Sequence, residues 1–239
     1  MPIGDVTVVI LAGGFGVRLL GAYPNLPKPM IPVAGRPFLE WVIRYWASFG
    51  ARDFVLSLGH LGDVAESHFK AHPIAGVSIR TVREPQARGT GGAVALVAGT
   101  QTLSDPFFVA NGDSLVLADP DIPLSAREDG AILAVEKEDA SRYGTLVTTP
   151  AGLLSDFREK KPGRGLINAG VYLLRKKLLA ACPTEERCSL ETEFFPAALA
   201  RGARFRVWPC EDRFLDIGTP ESLAQAEAFI GENFTHTLP

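Results

Sequence analysis

Residues 6–16 read Val-Thr-Val-Val-Ile-Leu-Ala-Gly-Gly-Phe-Gly. Residues 6–11 form an unbroken apolar and β-branched run, the pattern of a strand covered on both faces. Gly13, Gly14 and Gly16 follow at once, so the strand empties into a tight glycine-rich loop. A buried strand followed by such a loop predicts an α/β fold with its crevice at the carboxyl ends of the strands.

Beyond this stretch the chain keeps alternating. Arg36-Pro37 opens a helix whose apolar positions are Phe38, Leu39, Val42, Tyr45, Trp46 and Phe49, with Gly50 as its stop. A strand is expected at 54–58, a helix at 63–70 with Asp63 near its cap, and a strand at 77–82. Gly89, Gly91 and Gly92 lead into a small-residue helix at 93–98. A buried strand at 107–110 ends in Asn111-Gly112-Asp113. Strands at 131–135, 144–148, 171–174, 204–208 and 214–217 and a helix at 191–200 follow. A last helix at 220–230 has Thr219 as cap and Pro220 at its first position. The pattern predicts a Rossmann-like, mostly parallel sheet with helices on both faces and a small additional β region in the second half. No internal repeat or long linker interrupts it, so one domain over 1–239 is expected.

Composition agrees with that class. For 239 residues, area scaling gives about 37,000 Å² unfolded and about 10,000 Å² folded, enough for a full core. Net charge is −3, with no long basic run, which argues against phosphate-driven nucleic-acid binding. No apolar stretch approaches the ~18 residues that span a bilayer. Residues 1–5 lack a basic region and 6–11 are too short for a secretory core, so a cytoplasmic protein is expected. Cys182, Cys188 and Cys210 form no CxxC pair and read as reduced thiols. His68 and His72 share a helix face, but no Glu follows His68 and Pro73 closes the segment; they read as surface histidines rather than a metal pair.

Three segments carry chemistry. In the loop 11–19, Leu19 stands where a dinucleotide fingerprint needs its third glycine, and Ala22 stands where a Walker loop needs Lys. A phosphate loop with Arg18, or a structural turn, remains. Lys28 lies between Pro27 and Pro29, which restrict the backbone as a fixed phosphate contact would need; a solvated lysine is the alternative. Asp113 ends a buried strand and Asp216 lies in an apolar strand end. Two carboxylates beside a phosphate loop suit a magnesium ion if they converge; turn or cap roles are the alternative.

In order, these segments and Gly89-Thr90-Gly91-Gly92-Ala93, Tyr143-Gly144, Phe157-Arg158-Glu159-Lys160, Asn168-Ala169-Gly170-Val171-Tyr172 and Asp216-Ile217-Gly218-Thr219-Pro220 resemble the sugar-1-phosphate nucleotidyltransferases. The likeness runs from residue 6 to about 230. It looks most like the D-glycero-α-D-manno-heptose 1-phosphate guanylyltransferases, through residues 28–40 and 84–92 and Ser189-Leu190-Glu191.

That resemblance implies a reaction in which GTP and heptose 1-phosphate give GDP-heptose and pyrophosphate, for surface polysaccharide synthesis. It implies a nucleotide-binding half over about 6–115 and a sugar-phosphate half over about 116–230. Leu11, Ala12, Gly13, Gly14, Gly16, Glu84, Gly89, Thr90 and Asn111 would bind the nucleotide. Arg18 would neutralise the triphosphate, Lys28 would bridge the reacting phosphates, and Asp113 and Asp216 would hold Mg²⁺. Gly144, Glu159, Lys160 and Asn168 would bind the sugar phosphate. Two departures stand out: Val17 replaces the usual Thr before Arg18, and Leu20-Gly21-Ala22-Tyr23 replaces Arg-Pro-Leu-Thr.

Glu84 adds a physical argument for GTP. Guanine presents two adjacent donors that one carboxylate can accept, whereas uracil and thymine mix donors with acceptors. Glu84 accepting backbone N–H groups is the other reading. Alternatives are mannose 1-phosphate or another sugar phosphate, UTP, CTP or dTTP, and a non-catalytic nucleotide-sugar sensor; the missing glycine at Leu19 disfavours an NAD-dependent dehydrogenase. The sequence is compatible with a homo-oligomer and marks no interface.

Overall fold

The computed structural model describes residues 1–14, 21, 23–158, 162–182, 187–210 and 213–234. The first half contains β1 (Thr7–Ala12), β2 (Pro32–Val33), β3 (Arg36–Pro37), α1 (Phe38–Ser48), β4 (Asp53–Leu58), α2 (Gly62–Ala71), β5 (Ser78–Arg83), α3 (Gly89–Thr100), β6 (Phe107–Asn111) and β7 (Ser114–Val116). The second half contains α4 (Asp121–Leu124), β8 (Gly130–Lys137), β9 (Thr145–Thr148), β10 (Leu154–Arg158), β11 (Gly165–Leu174), α5 (Phe195–Ala200), β12 (Phe205–Cys210), β13 (Phe214–Asp216) and α6 (Pro220–Phe234).

Among the described residues nine strands form one mixed sheet along β10-β9-β11-β6-β1-β4-β5, with β8 joining β11 to β12. The four strands β5, β4, β1 and β6 are parallel, and β11 turns antiparallel against β6. β1 explains its own composition. Val8 and Ile10 enter one core with Phe38, Leu39 and Trp46 of α1, Phe69 of α2 and Ile230 of α6. Val9 enters the opposite core with Val94 and Val97 of α3 and with Phe194 and Phe195. Helices cover both faces, so none of these positions tolerates a polar residue. Each fully buried side chain of this size contributes about 1.5–3 kcal/mol.

Strand register aligns the residues at the sheet's carboxyl edge. Leu11 is level with Asn111 on β6 and with Ser57 on β4, so three carboxyl ends reach the same edge. At the far end of the chain, Thr219 caps α6 as expected: Ser222 N donates to Thr219 Oγ1 at 3.2 Å, and Thr219 N donates to Ser222 Oγ at 3.1 Å.

Several boundaries differ from expectation. α3 starts at Gly89, because the Cys188 carbonyl accepts from Gly91 N (2.8 Å) and Gly92 N (3.0 Å) and caps the helix from outside. The first residue before α2 is Leu61, and Asp63 lies inside its first turn without capping it. β10, with its polar Ser155, Asp156 and Arg158, was not expected as a strand; it borders β9 alone within the sheet and has exposed positions. The expected helix 191–200 is a π-helical turn, Leu190–Phe194, running into the short α5. Phe49, expected on the buried face of α1, is exposed.

One buried charge was also unforeseen. Glu40 in α1 accepts from Arg36 Nη1 at 2.7 Å and Arg44 Nε at 2.8 Å, and lies 2.9 Å from His68 Nε2 of α2. Burial alone would push its carboxyl up; the bonds to His68, Arg44 and Arg36 outweigh that and lower it from 4.5 to about 2. Such a group stabilises the fold above pH 4.5 and loses that contribution as pH falls toward 2. Glu40→Gln is expected to cost about 3 kcal/mol in urea unfolding at neutral pH. The gap from wild type should close between pH 4.5 and 2; a gap independent of pH would contradict this role for the Glu40 charge.

Candidate active site

At the carboxyl edge of the sheet lies a cleft of about 690 Å³. Leu11, Ala12, Gly13, Gly14, Lys28, Glu84, Gly89, Thr90, Asn111 and Asp113 all line it. Residues spread over a hundred positions thus meet in one crevice, where open α/β sheets bind ligands. Gly16, Arg18, Glu159 and Lys160 lie outside the described residues.

The loop after β1 is packed too tightly for side chains at one point. A Cβ on Gly13 would lie 3.2 Å from Gly59 N and against Glu84 Oε1. Gly14 is different: it lines the cleft, and among the described residues a Cβ there meets nothing within 4 Å. Glu84 follows the end of β5. Its Oε1 accepts from Ser57 Oγ at 3.2 Å and its Oε2 from Arg88 N at 3.1 Å. The backbone-accepting alternative for Glu84 is therefore realised at one oxygen.

Lys28 begins a short 3₁₀ turn, Lys28–Met30, with Pro27 before it and Pro29 inside it. Only 15% of its side chain is exposed, and Nζ donates to Asp113 Oδ2 at 2.6 Å. It is a fixed cation and not a solvated one. Asp113 follows β6 and also accepts from Ser114 Oγ at 3.1 Å.

Asp216 reaches the same place through a separate ladder. β13 pairs antiparallel with β7, which puts Asp216 level with Ser114. Ile217 N donates to the Asp113 carbonyl at 3.0 Å, locking the two segments together. Asp216 accepts from Gly218 N (2.8 Å), from Arg142 Nη2 (3.0 Å) and from the Tyr143 hydroxyl. Gly218 lines the cleft. A Cβ there would collide with Asp216 Oδ1 and lie 3.5 Å from both Arg142 Nη2 and Lys28 Nζ. The two carboxylates and their two cations converge around that bare glycine.

Gly144 and Asn168 come together, since Asn168 N donates to the Gly144 carbonyl at 3.2 Å, but neither is part of the cleft lining. Their link to it is indirect. β11 bulges between Asn168 and Tyr172, and Gly170, at φ +73°, presses on Asn111, where a Cβ would collide with the amide nitrogen.

Sequence reading missed Ala87, Ala93 and Arg187 in the lining and Arg142 beside Asp216. Arg187 lies with its Cγ 3.5 Å from where a Gly89 Cβ would be. Neither arginine belongs to a local pattern; both arrive through long-range folding.

Residues 7–233 match the family model described as Nucleotidyl transferase. The chain belongs to the nucleotidyl transferase family. It is 33% identical to the D-glycero-alpha-D-manno-heptose 1-phosphate guanylyltransferase of Campylobacter jejuni, over 89% of this chain and 95% of that protein. It is also 33% identical to a mannose-1-phosphate guanylyltransferase of Mycobacterium tuberculosis, over 95% of this chain and 65% of that longer protein. Among solved structures, HddC from Yersinia pseudotuberculosis complexed with GMP-PN superposes with a TM-score of 0.82 at 31% identity, covering 93% of this chain and 98% of that one.

Two glycines of this nucleotidyl transferase separate structural from ligand constraints. Gly170→Ala combines a left-handed backbone with a collision and is expected to cost about 2–4 kcal/mol, or roughly 4–16 °C in melting temperature. Gly14→Ala should leave the melting temperature within about 2 °C, since no described residue lies within 4 Å of the added methyl. Scanning calorimetry of both variants decides; equal losses would refute the assignment of Gly14 to open cleft.

Proposed function

We propose that this nucleotidyl transferase transfers GMP from GTP to D-glycero-α-D-manno-heptose 1-phosphate, giving GDP-heptose and pyrophosphate. The observation that carries a phosphoryl-centred reading is the convergence of Lys28, Asp113, Asp216 and Arg142 at the mouth of a glycine-rich loop. The names of the Campylobacter relative and of the structural neighbour complexed with GMP-PN support the sugar and the nucleotide. The equally similar Mycobacterium relative supports mannose 1-phosphate as a second reading. The chain is read as one domain whose first half takes the nucleotide and whose second half takes the sugar phosphate.

The chemistry asks little of a nucleophile. A sugar-phosphate oxygen is already an anion, and it attacks the α-phosphorus while pyrophosphate leaves. No general base is required, and among the described residues the cleft lining contains no His or Cys. What the site must supply is alignment and positive charge. Lys28 holds a cation at the point where both phosphates would meet. Arg18, from the loop after β1, is assigned to the triphosphate, and Lys160 to the sugar phosphate. Glu84 faces the cleft and is assigned to the base, Glu159 to the sugar hydroxyls.

Asp113 and Asp216 fit Mg²⁺. They are two hard oxygen donors held in adjacent register, each already satisfied by a cation, and Mg²⁺ takes one or two carboxylates with phosphate oxygens and water. When bound, the ion would neutralise charge on the phosphates. A non-catalytic sensor would have no need to bring both carboxylates and Lys28 to one point.

Pyrophosphate release over a panel of nucleoside triphosphates and sugar 1-phosphates tests the assignment. GTP with the heptose phosphate should exceed GTP with mannose 1-phosphate by more than about tenfold; the reverse order would move the substrate to mannose. Asp113→Ala should lower turnover by about 10²–10³-fold while melting near the wild-type temperature. Wild-type-like turnover in that variant would refute its role. Glu84→Gln should lower the GTP-over-UTP ratio, and an unchanged ratio would remove Glu84 from base selection.

A further inference from the structure

Behind the cleft, a polar cluster joins the bulge of β11 to the π-helical turn. Tyr172 is fully buried, and its hydroxyl donates to Glu191 Oε1 at 3.1 Å. Asn168 Nδ2 donates to Tyr172 Oη at 2.6 Å and reaches Glu191 Oε1 at 3.4 Å. The other carboxylate oxygen of Glu191 accepts from Ser189 Oγ at 3.0 Å and Thr90 Oγ1 at 3.3 Å. Four donors therefore end on one acceptor-only group. Burial and the Glu191 charge push the Tyr172 hydroxyl well above its ordinary value, which keeps it a donor.

The geometry points to Glu191 as a positioning residue that sets the sugar-side wall of the cleft without lining it. An amide such as Asn168 has nearly the same shape in its two flipped orientations, and only its partners choose between them. With Nδ2 held by Tyr172 and Glu191, Oδ1 is directed to Gly170 N, which donates to it at 3.0 Å. Gly170 in turn packs on Asn111, which lines the cleft. Removing the carboxylate frees the amide to flip. Gly170 N then loses its acceptor, and the bulge loses its fixed seat against Asn111. On the nucleotide side Thr90 keeps a second tie, because its Oγ1 also accepts from Leu190 N at 2.8 Å. Asn111, assigned to the nucleotide, loses only a packing neighbour, whereas Asn168, assigned to the sugar phosphate, loses its orientation, so the effect should fall mainly on the sugar phosphate. Ser189-Leu190-Glu191 carries part of the family resemblance but does not mark this role, which rests on three long-range contacts.

This inference rests on the guanylyltransferase reading, and its test separates the two. Glu191→Ala should lower kcat/KM for the sugar 1-phosphate by about 10- to 100-fold, while KM for GTP stays within about threefold. Glu191→Gln keeps one accepting oxygen and should recover most of the loss, to within about fivefold of wild type. Wild-type kcat/KM in Glu191→Ala would overturn the proposal. So would an equal loss on both substrates that Glu191→Gln fails to recover, which is the mark of a merely structural residue. A second readout does not depend on turnover. The Asn168 side-chain amide protons, assigned by NMR with Asn168→Asp, should be resolved and slow to exchange in wild type and averaged in Glu191→Ala. If wild type turns over no substrate pair, the guanylyltransferase reading falls, and the amide signals alone decide this one: signals unchanged in Glu191→Ala overturn it.

Discussion

The ion pair between Lys28 and Asp113 is the contact on which the site depends. Its Nζ–Oδ2 distance of 2.6 Å joins a proline-braced turn after the first strand to the end of the parallel strand β6. On the proposed function two anionic phosphates meet beside Lys28; they repel each other at bonding distance, and a positive charge held there would offset that repulsion most where water is scarce. A free lysine would lose side-chain entropy on every encounter. Here the turn and the carboxylate have already fixed it. Asp216 is tied to the same point through the separate β7–β13 ladder, so the charges are in place only when the main sheet and that ladder are both formed.

The sheet itself serves that requirement. Because helices cover both faces, β1 is apolar through its centre and exits the core in one direction only, toward the crevice. Glycines then allow backbones to approach where side chains would block the way. Gly13 packs on Glu84, Gly170 on Asn111 and Gly218 on Asp216. In each case the glycine touches a residue assigned to binding or metal, so the same positions that relieve sterics also define the shape of the cleft.

Much of this was legible in the sequence where the signal is local. The run 6–11, the prolines around Lys28 and the capping of α6 by Thr219 each depend on near neighbours, and the structure places them as read. What was not legible is non-local. The start of α3 is set by the carbonyl of Cys188, about a hundred residues away, and no propensity encodes that. Asp113 and Asp216 read as two separate strand-end carboxylates, and their convergence needed the pairing of β7 with β13. Glu40 looks like an ordinary surface position of a helix, yet it is buried because Arg36, Arg44 and His68 surround it. Arg142 and Arg187 belong to no motif, and only the fold brings Arg187 to the cleft and Arg142 to Asp216.

On the proposed function the site works by alignment and charge, and the sugar phosphate attacks the α-phosphorus without a covalent intermediate. The stereochemical course at that phosphorus is the sharpest test. GTP bearing a single sulfur of known configuration on its α-phosphorus would be converted with the sugar 1-phosphate, and the configuration of the product determined. One in-line displacement predicts inversion. Retention would mean two displacements through a nucleotidyl group bound covalently to the protein, and would contradict direct attack.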